Sequence, residues 1–193
     1  VIRARAAANG GGATDLEIFL QFMVEYLTQV INLYIEAGAD YLTVREMGAT
    51  SDVLSPRMFR TLILPHLQKI FANLEGPKIL HICGNTNKII GAMNEAGADA
   101  LSVEHRNDVR ASREKLGPET VLLGNFNGYG LLVEGTPEII HETVTASLDN
   151  GLNAIWPGCD IWPTAKPENV RALIEKTHAY PPEKAGGRRC GDD

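Results

Sequence analysis

Three side chains that could together hold a metal ion are His81, Cys83 and Cys159, each near the end of a short apolar stretch. His81 and Cys83 are two residues apart in a predicted strand, and the alternation of side chains along a strand places both on one face. Cys159 occupies the equivalent end of a strand three units later. One imidazole and two thiolates favour Zn²⁺ over Mg²⁺ or Ca²⁺ and leave a fourth coordination position open. The spacing therefore predicts a zinc site of the catalytic kind.

This ligand set also indicates the kind of reaction. Two thiolates donate charge to zinc and make it a weak Lewis acid, which disfavours hydrolysis. A thiol in the open position would have its pKa lowered and would be held as a nucleophilic thiolate. The predicted chemistry is therefore alkyl transfer to sulfur. The alternative interpretation is that both cysteines are ordinary buried thiols and that His81 is a hydrogen-bonded core histidine.

The elements that must position these side chains alternate between helix and strand. Helical periodicity and capping signals predict helices over 15–37, 55–74, 86–96, 108–116, 136–150 and 166–179. Apolar β-rich runs predict strands over 40–44, 78–82, 100–103, 120–123 and 153–156. This alternation is typical of a parallel α/β sheet with right-handed crossovers, either doubly wound or part of a (β/α)₈ TIM barrel. In both architectures the active site lies at the carboxyl ends of the strands.

Composition excludes several classes of protein. With 193 residues, 44% hydrophobic and 22% charged, the chain is expected to form one ordinary folded domain. Its net charge of −6 gives no reason for binding nucleic acid. No signal peptide and no apolar run of the roughly 18 residues needed for a membrane span are recognised. Three widely spaced cysteines favour a reduced, cytoplasmic protein. Residues 1–14 are expected to be poorly structured, 15–180 to fold, and 181–193, with Cys190, to form a flexible tail.

Several motifs carry a resemblance to a known family. The segments concerned are LHICGNT at 80–86, Gly124-Asn125, GTPE at 135–138 and PGC at 157–159. Together they resemble the methylcobamide:coenzyme M methyltransferases, the zinc methyltransferase branch of the uroporphyrinogen decarboxylase superfamily. SDVLSP at 51–56 and ALSVE at 100–104 resemble other strand ends of the superfamily. The resemblance covers about residues 15–179, and the H-x-C followed by a distant P-G-C is its branch-specific part.

The resemblance implies a (β/α)₈ barrel of which this chain carries about five βα units, corresponding to strands four to eight. It implies zinc held by His81, Cys83 and Cys159. It also implies a catalytic role for Glu104, as a resting fourth ligand that the thiol displaces, and for Asp52 at the mouth of the barrel. Substrate contacts are expected from four further residues: Glu46, Asn85, Asn125 and Asn127. Many relatives carry an acidic residue about where Asn127 stands.

The implied function is transfer of a methyl group from methylcobalamin on a partner corrinoid protein to a small thiol, coenzyme M in the first instance. Another thiol or a folate is an alternative acceptor. The same residues are compatible with a truncated, non-catalytic half-barrel that binds zinc or a corrinoid partner. They are also compatible with a uroporphyrinogen decarboxylase-like enzyme and with an unrelated zinc lyase or hydrolase. Open edges of a partial barrel would favour self-association.

Overall fold

The computed structural model describes residues 15–181, so the expectations for 1–14 and for the tail beyond residue 181 lie outside the described residues. The helices are α1 (Asp15–Glu36), α2 (Pro56–Met58), α3 (Leu64–Ala72), α4 (Ile90–Asn94), α5 (Val109–Leu116), α6 (Pro137–Asp149) and α7 (Pro167–His178). The strands are β1 (Leu42–Glu46), β2 (Lys78–Ile82), β3 (Ala100–Val103), β4 (Val121–Phe126) and β5 (Ala154–Pro157). Two π-helical turns span Phe59–Ile63 and Tyr129–Glu134.

The predicted helix over 55–74 is divided in the structure. Ser55 caps its start by accepting a hydrogen bond from the Met58 amide at 3.2 Å. The chain then widens into the π-helical turn Phe59–Ile63 before α3. Pro65, in the first turn of α3, has no amide hydrogen, so the regular ladder of hydrogen bonds cannot pass through it. The prediction of a helix over 86–96 is also too long, since only α4 is helical there.

The five strands form one parallel sheet in the order β1-β2-β3-β4-β5. A doubly wound sheet reverses its strand order at a switch point, whereas a (β/α)₈ barrel adds each strand on the same side of the last. The sequential order therefore decides between the two predicted architectures in favour of the barrel type, with five βα units in this chain.

The two faces of the sheet carry different cores. Helices cover one face, where Leu80, Ile82 and Leu101 are buried among helical side chains such as Phe71 and Ile140. Complete burial of such a side chain contributes about 1.5–3 kcal/mol. The opposite face carries a small cluster of buried apolar residues, with partly buried ones packed against it: Ile79, Ala100, Leu123, Val121, Ala154 and Trp156. This second face would be the interior of the barrel.

The sheet is curled enough for its two edges to meet through side chains. Tyr41, just before β1, packs edge-to-face against Trp156 of β5, with ring centroids 6.2 Å apart. Arg45 of β1 pairs with Asp160, just beyond β5, at 3.0 Å. Strands at opposite ends of the sheet therefore contribute to the same opening at its carboxyl end.

Arg113 of α5 connects the segments that lead into β4 and β5 to the helical layer by hydrogen bonds. Its half-buried guanidinium donates to four acceptors at 2.6–2.9 Å: the carbonyls of Gly117, Thr120 and Gly151, and Asn153 Oδ1. Asn153 Oδ1 also accepts from the Leu122 amide. The register between β4 and β5 is thus fixed partly by side chains.

Helix α1 is long and mostly exposed. Among its exposed apolar residues are Ile18, Phe19, Phe22, Tyr26, Leu33 and Tyr34, whereas Val24 is buried. An 18-residue window has a mean hydropathy of 1.3, so by length and composition alone α1 could span a membrane. That α1 meets this criterion of length and composition was not anticipated from the sequence, and for a single helix it is weak evidence of a membrane span. The helix nevertheless contacts the folded domain through α3, where Lys69 donates to Gln21 at 2.8 Å.

Candidate metal centre

His81 is fixed on the inner face of the sheet at the carboxyl end of β2. Strand register pairs it with Arg45 of β1 and with Ser102 of β3. His81 is 3% exposed, and its Nδ1 lies 2.9 Å from the hydroxyl of the fully buried Ser102. This contact leaves Nε2 directed at Cys83 Sγ, 3.2 Å away. The local geometry thus presents one ring nitrogen toward a thiol.

The two cysteines approach each other across the opening. Cys83 Sγ and Cys159 Sγ are 3.8 Å apart, and both are free thiols. Two sulfurs bound to one tetrahedral zinc at about 2.3 Å each would be separated by ~3.8 Å. The side chains as they stand do not form a complete coordination site, since no group of three or more His, Cys, Asp or Glu residues within 15–181 has the arrangement of a metal site. The thiol–thiol distance nevertheless suits a shared zinc ion.

Glycines beside both cysteines allow this approach. Gly84 has φ +83°, and a Cβ atom there would lie 2.7 Å from Thr50 Oγ1 and 2.9 Å from Arg106 Nη2. A Cβ at Gly158 would lie 2.8 Å from the Phe126 carbonyl oxygen. A larger residue at either position would force these neighbours or the local backbone to shift.

Burial controls the charge of the ligands. Desolvation, followed by the nearby Arg45 charge, lowers the pKa of His81, which favours the neutral imidazole that binds metals. Desolvation and the hydrogen bond with Cys159 raise the pKa of Cys83 to about 11. In the absence of metal Cys83 is therefore a thiol, and a metal ion that binds there must displace its proton.

Glu104 supports the turn that follows Cys83. Its side chain is 13% exposed, and Oε2 accepts a hydrogen bond from the Gly84 amide. Oε1 lies 3.1 Å from His105 Nδ1 and 3.7 Å from Arg106 Nε. The structure thus places this predicted catalytic residue next to the thiol turn, with its oxygens engaged by neighbouring groups.

Asp52 is held in the loop after β1 by Arg106 and Thr50. Its carboxylate pairs with Arg106 Nη1 at 2.9 Å and lies 3.5 Å from Thr50 Oγ1. Since Arg106 also approaches Glu104, Asp52 is connected to the Cys83 turn through Arg106.

Glu46 and Asn85 organise the loops around the opening. Glu46 accepts hydrogen bonds from the amides of Gly48, at 3.0 Å, and Ala49. The Asn85 carbonyl accepts from the Ser51 amide at 2.8 Å. Both predicted substrate residues are therefore used to shape loops, and their contact with substrate stays a prediction.

Asn125 and Asn127 likewise bond to their own surroundings. Asn125 Nδ2 donates to the Asn107 carbonyl at 3.0 Å, and Asn127 Oδ1 accepts from the Gly130 amide at 3.1 Å. The second contact lies at the start of the π-helical turn Tyr129–Glu134. A role for either in substrate binding also stays a prediction.

Three further residues lie at the opening, of which the sequence placed Arg45 and Asp160 at strand ends without a role and did not single out Ser102. Arg45 Nη2 lies 3.7 Å from Cys159 Sγ while Nη1 pairs with Asp160, and Ser102 lies against His81. The alternation of side chains in β1, which points Thr43 and Arg45 the same way, was the available signal for Arg45. The positions of Asp160 and Ser102 beside Arg45 and His81 depend on contacts between strands, which no local sequence pattern reveals.

Comparison with known proteins agrees with this fold. The family model described as "Uroporphyrinogen decarboxylase (URO-D)" matches residues 13–180. The chain belongs to the uroporphyrinogen decarboxylase family.

Within that family, this chain resembles methyltransferases. It is 32% identical over 169 residues to the methylcobamide:CoM methyltransferase MtaA of Methanosarcina barkeri, a match that covers 86% of this chain and 50% of that protein. A solved structure of a methyltransferase from Methanosarcina mazei matches with a TM-score of 0.78 and 31% identity, over 82% of this chain and 47% of that chain. A uroporphyrinogen decarboxylase of Idiomarina loihiensis is 30% identical over 177 residues, which cover 86% of this chain and 48% of that protein. The chain thus spans about half the length of the curated relatives it matches.

Proposed function

We propose that this chain provides the zinc-binding part of a methyltransferase that moves a methyl group from a methylated corrinoid protein to the thiol of coenzyme M. The observation that carries the proposal is the 3.8 Å approach of Cys83 Sγ and Cys159 Sγ beside His81 Nε2. These groups lie at the carboxyl end of the sheet, where barrels of this type carry their active sites. The similarity to MtaA supports the same chemistry.

His81, Cys83 and Cys159 would hold the zinc ion, whose contribution when bound is to keep the substrate thiol deprotonated near neutral pH. Ser102 fixes the imidazole so that Nε2 faces the thiols. Glu104 holds the turn after Cys83 through the Gly84 amide, and in this proposal its carboxylate would be the resting ligand that substrate replaces. The thiol would release its proton to solvent, and its sulfur would bond to the methyl carbon as the methyl–cobalt bond breaks, with that bond's electron pair leaving on the partner's corrinoid as Co(I).

The partner of such a chain would be a corrinoid protein that docks at the same opening. Exposed apolar side chains in the loops beyond β1 and β5 support this surface, among them Met47, Val53, Ile161 and Trp162. We place the reaction in the cytoplasm, where the free thiols Cys83 and Cys159 stay reduced.

A second candidate is a non-catalytic half-barrel that binds zinc or a corrinoid partner and associates with a copy of itself. The chain covers about half of its relatives' length, and α1 exposes a row of apolar side chains. Decarboxylation is less favoured, because the approach of two thiols and an imidazole provides a metal site that this reaction does not call for.

Zinc analysis combined with a methyl-transfer assay tests the proposal. The purified chain should contain about one zinc ion and should methylate coenzyme M with methylcobalamin as donor. Cys159→Ser should lose zinc and activity, whereas Cys190→Ser, outside the predicted ligand set, should keep both. Zinc without methyl transfer would favour the half-barrel. Absence of zinc from the intact chain, with no uptake of added zinc, would refute the metal centre.

A further inference from the structure

Arg45 is a cation beside the candidate metal centre that the proposed methyl transfer does not use. Its Nη1 pairs with Asp160 Oδ1 at 3.0 Å and its Nη2 lies 3.7 Å from Cys159 Sγ. The side chain is 41% exposed and that of Asp160 is 72% exposed. The guanidinium thus lies at the mouth of the opening, accessible from solvent.

A cavity of about 180 Å³ connects Arg45 with the candidate ligands. Its lining consists of Thr43, Arg45, His81, Trp156, Pro157 and Cys159. The lining thus combines an imidazole and a thiol, the apolar side chains of Trp156 and Pro157, and the positive charge of Arg45. The cavity is therefore suited to a short molecule with a thiol at one end and an anion at the other.

We propose that Arg45 binds the anionic end of the thiol substrate, the sulfonate in the case of coenzyme M. This inference rests on the proposed function, because it assumes that the thiol lies beside Cys159. Since Nη2 is 3.7 Å from Cys159 Sγ, a spacer of two carbons is enough to bring the anion to the guanidinium. The planar fork of an arginine matches the oxygens of an oxyanion, with two parallel hydrogen bonds.

Asp160 is the group that the substrate anion replaces. Exposed ion pairs are weak because water screens both charges, so exchange of one anion for another at Arg45 costs little. The pair therefore serves to hold the guanidinium over the cavity before substrate arrives. Removal of the Asp160 charge should leave Arg45 free and tighten binding of the anion.

The test compares two thiols with the same two-carbon spacer, 2-mercaptoethanesulfonate and the neutral 2-mercaptoethanol, as methyl acceptors. Arg45→Met should raise the KM for the sulfonate about 10- to 100-fold, the range expected for loss of hydrogen bonds between charged groups. The KM for the neutral thiol should change less than about twofold on that reasoning. Arg45→Lys should recover part of the loss, and Asp160→Asn should lower the KM for the sulfonate.

Arg60→Met is the matched control. Arg60 also forms an exposed pair with a carboxylate, Glu95, at 2.6 Å, but it lies in the helical layer. This variant should leave the KM of both thiols unchanged. Equal increases in both KM values for Arg45→Met, or loss of zinc from that variant, would overturn the inference, because Arg45 would then act on Cys159 itself.

Direct binding separates this inference from the proposed function. Ethanesulfonate has no thiol, so calorimetric titration with it reports the anion site without any methyl transfer. Binding to the intact chain that Arg45→Met abolishes would support the anion site even if methyl transfer were absent. Methyl transfer with no preference for the sulfonate, and no binding of ethanesulfonate, would refute the anion site and leave the proposed function intact.

Discussion

Ser102→Ala is the most informative single change near the candidate metal centre. The Ser102 side chain is fully buried, and its hydroxyl is 2.9 Å from Nδ1 of His81, which is itself 3% exposed. Alanine removes this partner and leaves a buried ring nitrogen unsatisfied. We expect the free energy of unfolding of the metal-free protein to fall by about 1–3 kcal/mol.

Ser102→Ala should also weaken zinc binding, and this effect is measured separately from the loss of stability. Groups that orient a metal-binding histidine contribute about 10–100-fold to metal affinity, which corresponds to about 1.4–2.8 kcal/mol. Competition with a chromophoric chelator would measure the zinc dissociation constant of Ser102→Ala. Thermal unfolding with and without zinc should show that the stabilisation by zinc is reduced in this variant.

Ser112→Ala provides the control, because Ser112 is 2% exposed and donates one hydrogen bond to Asn107 Oδ1 at 2.9 Å. It should lose a similar amount of stability and bind zinc as the unmodified chain does. An unchanged zinc affinity in Ser102→Ala would refute the orienting role of the hydroxyl. An equal loss of affinity in both variants would show that general loosening, rather than the His81 contact, is responsible.

Two further changes test the turn at the thiols and the framework. Gly84→Ala should destabilise the fold by about 2 kcal/mol or more, because of the positive φ and the contact with Thr50, and should weaken zinc binding. Gly76→Ala is the control in chemical denaturation. Gly76 has φ +73° and open space around its Cβ, so this variant should show the backbone cost alone. Arg113→Met should lower the free energy of unfolding by about 2–3 kcal/mol because it removes four hydrogen bonds, and a loss below about 0.5 kcal/mol in urea unfolding would contradict that interpretation.

Most of the predicted strands and helices lie within one residue of their observed ends. The strands predicted over 78–82 and 100–103 coincide with β2 and β3. Buried parallel strands are short, continuous apolar runs with clear ends, which is why composition locates them. The prediction of one continuous helix over 55–74 was wrong in its middle part, where a π-helical turn precedes α3. Pro65 interrupts the hydrogen-bond ladder there, and hydrophobic periodicity does not reveal such a turn.

The sequence by itself determined that His81 and Cys83 share a face, because side chains alternate along any strand. It also determined the barrel family, through motifs that the family match bears out. Only the tertiary structure decided how near Cys159 comes to Cys83, and that Arg45 and Ser102 adjoin them. These neighbours come from different strands, and their distances depend on the register and curl of the sheet. Both are set by packing of the whole layer, which no local stretch of sequence specifies.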